Sequence, residues 1–300
     1  MTAEAVHPRR PGSRNRGQTR VPARASTGAA AALERQGDSM RKVAIITGAS
    51  EGIGAGLVAG YRGRGWAVVA STGTTGPSPD PDLLAVSADI AGPTAADRVV
   101  EAALERFGRL DTLVTTADAV AARPFTGYTA ADYARAVDRN LAGFFWVTQQ
   151  AIAEMATRYG GHVVNIFATM AEDANSGTPA VLGALTKGAL AAATRSLAVE
   201  YAAYGIRVNA VSPGLTDTPL TAMTHQVPGV MDAYKERIPF RRAATPEEIA
   251  AAALYLTCDD ASYVSGVNLF VDGAWATSGY PDLRPYLAEA MAAAAAGSNA

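Results

Sequence analysis

The residues best suited to chemistry form a glycine-rich stretch, Thr47-Gly48-Ala49-Ser50-Glu51-Gly52-Ile53-Gly54. An apolar run at 43–46 precedes it, and a helix-like segment from Ala55 to Gly65 follows. Between a strand and a helix, such glycines permit a tight turn, close approach of a pyrophosphate and packing of helix on strand. The helix N-terminus adds free N–H groups and a positive dipole that attract phosphate. The stretch predicts a dinucleotide site, and a glycine turn without a ligand is the alternative.

Apolar runs and helical patterns alternate along the rest of the chain and must position that stretch. We predict buried parallel strands at 43–47, 66–71, 83–88, 111–115, 162–167, 206–211 and 267–271. Helical spacing predicts helices at 94–108, at 129–158, from about 182 to 204, and after Thr245. Strands that alternate with helices predict an α/β fold, a Rossmann-like doubly wound parallel sheet in a single domain.

Two of these helices begin with recognisable caps. Thr129 and Asp132 have the spacing of a capping box, in which each side chain accepts a backbone N–H of the other residue. At the last helix, Thr245 is the predicted N-cap, with Pro246 at the first helical position and Glu248 at the third.

Composition narrows the class of protein. Of 300 residues, 49% are hydrophobic and 18% are charged, which suits a globular protein with a large core. The net charge of -2 gives no broad attraction to nucleic acid or membranes, and no apolar run reaches the length of a membrane span. The single cysteine, Cys258, cannot form an internal disulfide, so we expect a small core residue and a cytoplasmic protein.

Both ends of the chain differ from the domain predicted at 40–276. Residues 1–39 are rich in arginine, proline and glycine, and this composition predicts a disordered basic tail. A transit peptide and a true translation start at Met40 are alternatives, while the twin arginine Arg9-Arg10 lacks the apolar segment of an export signal. Residues 277–300 form a C-terminal tail with an alanine-rich, helix-like segment from Tyr286 to Ala296.

From Lys42 to about Trp275 the chain resembles the short-chain dehydrogenase/reductase family. The family's motifs occur in order: the glycine stretch, Asp89-Ile90, Asn140 in 138–141, Lys187 in 185–190, the segment 205–214, Thr218, and 271–273. The resemblance implies a bound nicotinamide dinucleotide, a small-molecule substrate, no metal, and a homo-oligomer, either a tetramer built through the long helices or a dimer.

The resemblance also assigns roles to individual residues. Hydride passes between the nicotinamide and a carbonyl or alcohol carbon, Lys187 holds the ribose and lowers the pKa of a tyrosine phenol, and Asn140 holds a proton-relaying water. Lys187 and Asn140 are therefore the predicted catalytic residues. The predicted cofactor contacts are Gly48, Ser50, Glu51, Gly52, Ile53, Gly54, Thr72, Asp89, Ile90, Thr116, Ala117, Asp118, Asn140, Lys187, Pro213, Gly214, Thr216 and Thr218.

The sequence departs from the family at the reacting end of the site. The position four residues before Lys187, where the family has its tyrosine, is Gly183. The family's serine aligns with Ala168, so its hydroxyl is also missing unless Thr169 turns inward. The turn after the fourth strand, Asn-Asn-Ala-Gly in the family, is here Thr115-Thr116-Ala117-Asp118.

Other residues could supply the missing acid. Tyr201 lies 14 residues beyond Lys187, about 21 Å along a helix, which is too far. Asp118 is nearer in the expected fold, and desolvation would raise its pKa, although it could equally be a solvated turn residue. Weaker candidates are His225 and Tyr234 in the substrate-covering segment 219–240, and Asp173 and Ser176 before the Lys187 helix.

The preferred dinucleotide follows from the end of the second strand. NAD-binding proteins of this fold place an acid there for the ribose hydroxyl, whereas 70–75, including Thr72, carries neither acid nor base. Its hydroxyls could accommodate a 2′-phosphate, while Glu51 opposes one, and an exposed helix face accounts for Arg62 and Arg64. The balance slightly favours NADP(H) over NAD(H).

Three functions remain open from the sequence. The first is an NAD(P)-dependent oxidoreductase that acts on a small carbonyl, alcohol or imine with altered proton delivery. The second is a catalytically deficient dinucleotide-binding protein, a sensor or assembly subunit. The third is an isomerase or lyase that uses Asp118 or Lys187 as a base. Apolar residues in 219–240 favour an apolar or mixed substrate.

Overall fold

A computed structural model describes residues 41–72, 78–88, 91–116, 122–158, 160–169, 179–278 and 287. Several predictions lie outside these residues: the tail at 1–39, the helix at Tyr286 to Ala296, and the roles of Asp89, Ile90, Ala117, Asp118, Asp173 and Ser176. The proposed domain boundaries likewise stay a prediction.

Seven parallel strands of the described residues form one sheet in the order β3-β2-β1-β4-β5-β6-β7. They are β1 (Val43–Thr47), β2 (Ala67–Thr72), β3 (Leu83–Ser87), β4 (Thr112–Thr116), β5 (Gly161–Ile166), β6 (Ile206–Pro213) and β7 (Asn268–Val271). The strand order reverses between β1 and β4, so the doubly wound fold is confirmed. At such a reversal, ligands bind beside the carboxyl ends of the strands.

Helices cover both faces of the sheet. They are α1 (Gly52–Gly63), α2 (Pro93–Phe107), α3 (Ala130–Ala136), α4 (Gly143–Arg158), α5 (Val181–Glu200), α6 (Ala222–Gln226), α7 (Val230–Arg237) and α8 (Pro246–Thr257). One core lies between the sheet and α2, α4 and α5, and the other lies between the sheet and α1 and α8. In β1, Val43 and Ile45 enter the first core while Ala44 and Ile46 enter the second, so the strand is a continuous apolar run.

The helix predicted at 129–158 is three segments rather than one. Between α3 and α4 the chain forms a π-helical turn, Val137–Ala142, whose wider ring contains the buried Asn140. Such turns are often found at functional sites. The cap at the start of α3 is confirmed, because Thr129 and Asp132 make both bonds of the capping box. The same holds for Thr245 and Glu248 at α8.

The prediction that Cys258 is a core residue is wrong. Cys258 is partly exposed and follows the last residue of α8, and its thiol points to the carbonyl of Tyr255 at 3.0 Å. Arg207 of β6 reaches the same helix end and donates to the carbonyls of Leu256 and Cys258. The cysteine position is therefore set by helix termination, which apolar patterning does not report.

None of the helices in the described parts of the chain combines the length and apolarity that crossing a bilayer requires.

Candidate functional site

The glycine loop lies at the carboxyl edge of the sheet, where β1 meets β4. Gly48 has φ +61°, and a Cβ on it would lie 2.1 Å from the hydroxyl oxygen of Thr116, so only glycine fits. Thr116 itself donates its hydroxyl to the carbonyl of Thr47 at 2.9 Å. Its backbone N–H donates to the Thr47 hydroxyl at 3.1 Å. Gly48 and Thr116 thus fix the loop against the end of β4.

The other two glycines of the loop make close backbone approaches. A Cβ on Gly54 would lie 2.0 Å from the carbonyl oxygen of Gly48, which keeps the loop folded back on α1. Gly52 has φ +53°, and its Cβ would lie 3.2 Å from Thr218, which follows β6. The loop therefore faces the segment after β6 across the edge of the sheet. Gly52 and Thr218, both predicted cofactor contacts, lie next to each other.

The loop and α1 fit the phosphates of a dinucleotide. Glu51 is the N-cap residue of α1 in extended backbone, but its side chain does not cap the helix. The first turn of α1 contains no acidic residue, and the first helical N–H groups have no intrahelical acceptor. Ser50 and Glu51 are exposed beside them. The start of α1 is uncapped and positively polarised, and the glycine loop in front of it leaves its backbone open. Both features match a diphosphate.

The end of β2 is where an adenosine ribose would lie. Thr72, its last residue, is buried. Arg62 is tied instead to the carboxylate of Asp80, at 2.8 Å and 3.0 Å, near the amino end of β3. Arg64 follows the C-terminus of the same helix. Both arginines therefore lie at the edge of the sheet opposite the glycine loop, and Arg62 is held there by its ion pair with Asp80.

The two predicted catalytic residues lie on neighbouring elements. Asn140, in the π-helical turn, is 2% exposed and donates its amide to the Thr186 hydroxyl at 3.4 Å. Lys187, the next residue in α5, is 6% exposed. Thr186 donates to the carbonyls of Leu182 and Gly183 one turn earlier, at 3.1 Å and 3.2 Å. This chain of bonds fixes the turn that carries Gly183 and Lys187.

Gly183 and Ala168 are the residues that the sequence aligns with the family's tyrosine and serine. Gly183 is buried in the first turn of α5, and Ala168 is partly buried just after β5. Thr169 does turn inward, but its hydroxyl donates to the carbonyl of Pro213 at 2.7 Å. Its proton is therefore committed to the backbone of β6, so the Thr169 hydroxyl does not take over the hydrogen bond expected of the family's serine.

The segment after β6 is fixed from several sides. Gly214 donates its N–H to Val271 at 3.1 Å, and a Cβ on it would lie 2.8 Å from Asp272. Thr216, which is 3% exposed, donates its hydroxyl to the Gly214 carbonyl at 3.2 Å. With the Thr169 bond to Pro213, this turn presents a rigid backbone to the site. Thr218 follows it and leads into the segment 219–240.

A series of buried, hydrogen-bonded polar side chains lies beneath the site, and the sequence did not predict it. Thr115 donates to the side-chain oxygen of Asn165 at 2.8 Å, and the Asn165 amide donates to the Thr194 hydroxyl at 2.9 Å. Thr194 in turn donates to the Leu190 carbonyl at 2.9 Å. The chain ties β4 and β5 to α5, the helix that carries Lys187. Polar residues within two apolar runs were the only sign of it.

The alternative acids in the described residues have other partners. His225 faces Asp217 at 3.4 Å, with both side chains largely exposed, and Tyr234 packs edge-on against Trp275. Tyr201 packs near Tyr204 at the C-terminal end of α5, away from Lys187. No group of three or more potential metal ligands occurs among the described residues.

Comparisons with known proteins agree with this geometry. The protein family described as enoyl-(acyl carrier protein) reductase matches residues 48–275. The 3beta-hydroxysteroid dehydrogenase 1 of Eggerthella lenta is 32% identical over 247 residues, covering 79% of this chain and 94% of the relative. The 2-(R)-hydroxypropyl-CoM dehydrogenase of Xanthobacter autotrophicus is 32% identical over 255 residues, covering 79% and 99%.

Solved structures lead to the same family. The 3-ketoacyl-(acyl-carrier-protein) reductase of Brucella melitensis, solved in complex with NADH, superposes with a TM-score of 0.72 at 29% identity. The match covers 79% of this chain and 99% of that protein. Matching motifs, sheet order and relatives over most of the chain lead to one conclusion: this chain belongs to the short-chain dehydrogenase/reductase family of NAD(P)-dependent oxidoreductases.

Proposed function

We propose that the protein catalyses hydride transfer between a nicotinamide dinucleotide and a small carbonyl, alcohol or imine, with Lys187 and Asn140 as its catalytic residues. The single observation that carries this proposal is the bonded pair of Asn140 and Thr186 beside the buried Lys187. A protein that only bound a dinucleotide would need the glycine loop but not this buried arrangement. The curated relatives, by their names, act on alcohols, which favours the same substrate class.

The residues around the glycine loop would hold the cofactor. The loop 48–54 and the N-terminus of α1 receive the diphosphate, Thr72 lies at the adenosine ribose, and Thr116, Pro213, Gly214, Thr216 and Thr218 lie at the nicotinamide end. When bound, the dinucleotide supplies or accepts the hydride. Lys187 supplies the positive charge that stabilises a developing alkoxide, and Asn140 orients the relay to it.

Proton delivery differs from that of the family because no phenol precedes Lys187. A positioned general acid contributes about 10²–10⁴ in rate, so its loss weakens reduction of an unactivated ketone. A substrate that needs less help, such as an imine that is already protonated, suits such a site. We propose altered proton delivery on these grounds.

Three finer features belong to the same proposal. NADP(H) is preferred, because no acid follows β2 in 70–75 to accept the ribose hydroxyl. The protein is a homo-oligomer, tetramer or dimer, because α4 and α5 expose Phe145, Leu185 and Val199. A cytoplasmic location is supported by the single cysteine in the chain.

Titration with NADPH and NADH, followed by nicotinamide fluorescence, tests the proposal first. We expect micromolar binding of NADPH, then oxidation of the bound cofactor by a member of a ketone and imine panel. Failure of both nucleotides to bind up to about millimolar, a free energy of about 4 kcal/mol, would overturn the proposed function. Tight binding without turnover on any substrate would instead favour a sensor.

A further inference from the structure

Two threonine hydroxyls next to the predicted catalytic positions, those of Thr169 and Thr186, are bonded to the protein itself. Thr169 donates to the Pro213 carbonyl, and Thr186 donates to the turn of α5 before it. Ala168 and Gly183 have no polar side-chain atom. None of these four residues therefore offers a free hydroxyl to the oxygen of a substrate, although Lys187, one helical turn after Gly183, is buried.

The spacing along α5 defines what is missing. Gly183 and Lys187 are one turn apart, which is about 5.4 Å along the helix axis. In the family, a phenol at the position of Gly183 links the reacting oxygen to the lysine. One hydroxyl group, bonded to the reacting oxygen on one side and to the ammonium on the other, would make the same two hydrogen bonds.

We propose that the substrate brings this hydroxyl: the protein acts on vicinal hydroxy carbonyls and their 1,2-diols. The proposal rests on the proposed function and names its substrate class. The hydroxyl beside the reacting carbon would take the place of the side chain that Gly183 lacks, and Ala168 contributes only a methyl group.

The proton balance is simple in the direction of reduction. The carbonyl carbon gains a hydride from the reduced nicotinamide, and the C=O π electrons become the third lone pair of an alkoxide oxygen. The neighbouring hydroxyl gives its proton to that alkoxide. The oxygen so exposed takes a proton from the Lys187 ammonium, and Lys187 regains one from water through the relay at Asn140. Oxidation of the diol reverses every step.

A water molecule could bridge the same turn, but a substrate hydroxyl has an advantage. Ordering one water costs about 0–2 kcal/mol of entropy, whereas the substrate hydroxyl is held in place by its own covalent bonds. The two bridges differ in one measurable property. A water bridge serves every ketone alike, while a substrate hydroxyl serves only those that carry it.

Binding tests the proposal without any turnover. With reduced cofactor bound, alcohols form dead-end complexes, and calorimetry compares trans-cyclohexane-1,2-diol with cyclohexanol. We expect the diol to bind about tenfold more tightly to the wild-type protein, as for one hydrogen bond to a charged group. Lys187→Met, which removes the ammonium, and Gly183→Phe, which fills the place of the hydroxyl, are both expected to remove the preference.

Turnover completes the test with matched ketone pairs of increasing size. These are acetoin and 2-butanone, 2-hydroxycyclohexanone and cyclohexanone, and benzoin and deoxybenzoin. We expect kcat/KM to favour the hydroxylated member of at least one pair by about 100-fold, the lower range of a positioned acid. Gly183→Tyr, which supplies a phenol, is expected to reduce the plain ketones and to lose this preference, whereas Gly183→Phe gains nothing.

The outcomes separate the two levels of the proposal. Equal binding and equal kcat/KM within every pair would overturn the substrate hydroxyl in favour of water, and would leave the proposed function in place. Bound cofactor without reduction of any ketone by the wild-type protein or Gly183→Tyr, together with no preference for the diol, would overturn both. If Gly183→Phe fails to fold, Lys187→Met still decides the binding test.

Discussion

The two halves of the site differ in what holds them together. On the cofactor side, the fit depends on backbone: Gly48 and Gly54 have room only for hydrogen, and the start of α1 is bare. On the proposed substrate side, it depends on side chains, and there Gly183 and Ala168 carry no hydroxyl. Lys187 and Asn140 stand between the two halves.

This difference separates binding from proton chemistry. A backbone cradle is fixed by steric contacts, so one added carbon destroys it. A proton donor is a single functional group, and it can be supplied by another molecule if the surrounding shape is kept. The hydroxyls of Thr169, Thr186 and Thr194 donate to backbone carbonyls, and these bonds maintain the shape of the site.

The largest expected effect is at the junction of the two halves. Lys187→Ala is expected to lower hydride transfer by about 10²–10⁴, because the charge that stabilises the alkoxide and feeds the proton relay is lost. Stopped-flow absorbance of the reduced cofactor measures the step. Lys42→Ala is a matched control, since Lys42 precedes β1 at the opposite edge of the sheet. Equal loss in both variants would contradict the role of Lys187.

Gly48→Ala should break the cofactor half alone. Its Cβ would lie 2.1 Å from the Thr116 hydroxyl, so the loop must shift, and we expect affinity for the reduced cofactor to fall by about 100-fold, about 2.7 kcal/mol. Fluorescence titration measures it.

Gly65→Ala provides the control for Gly48→Ala. Gly65 also has a positive φ, +79°, but a Cβ there has nothing within 4 Å. It should cost about 1 kcal/mol of stability through backbone strain and leave affinity unchanged. A similar loss of affinity in both variants would show that strain, and not the contact with Thr116, is responsible.

Asn165→Ala tests whether the buried hydrogen bonds beneath the site support the substrate half and not the cofactor half. It leaves the buried hydroxyls of Thr115 and Thr194 with fewer partners, and each lost bond costs about 1–3 kcal/mol. We expect lower stability in urea and a lower kcat with little change in cofactor affinity, because the chain of bonds ends at α5. A change in cofactor affinity equal to the change in kcat would refute this division.

The smallest effect on the site itself concerns pH, which acts on stability and must be separated from proton delivery. Burial, with the nearby charges of Arg207 and Lys42, lowers the pKa of His162 to about 3. Its unfolded pKa is about 6.5, so between these values the unfolded chain binds the extra proton. The free energy of unfolding should therefore fall by about 1.4 kcal/mol per pH unit as pH drops below about 6.

Denaturation in urea across this pH range measures the slope for His162. In His162→Gln the slope due to this residue is expected to disappear, while the pH profile of hydride transfer above pH 7 stays unchanged. An unchanged slope in the variant would assign the pH dependence to other groups.

Much of the fold could be predicted because its signals are local. Every strand was placed within two residues, since buried strands are continuous apolar runs, and the two capping boxes depend on residues three positions apart. The strand, glycine turn and helix at 43–63 were also predicted, because glycine spacing is a local property.

What could not be predicted depends on contacts between distant residues. The Thr169 bond to Pro213 spans 44 positions, and the Thr115 bond to Asn165 spans 50. The ion pair between Arg62 and Asp80 joins residues 18 positions apart on different elements. Cys258 was misplaced for the same reason, because its surroundings include Arg207 from another strand.

The π-helical turn Val137–Ala142 rotates the side-chain faces of α3 relative to those of α4. Each extra residue advances a helix by about 100°, so a turn with one more residue than usual places the faces of α3 and α4 out of step. Deleting one residue from this turn would bring them back into step. The inner face of α4 would keep its packing on the sheet, while Asn140 would rotate away from Thr186. A change in chain length of one residue would thus move the amide of Asn140, a proposed catalytic group, and spare the fold.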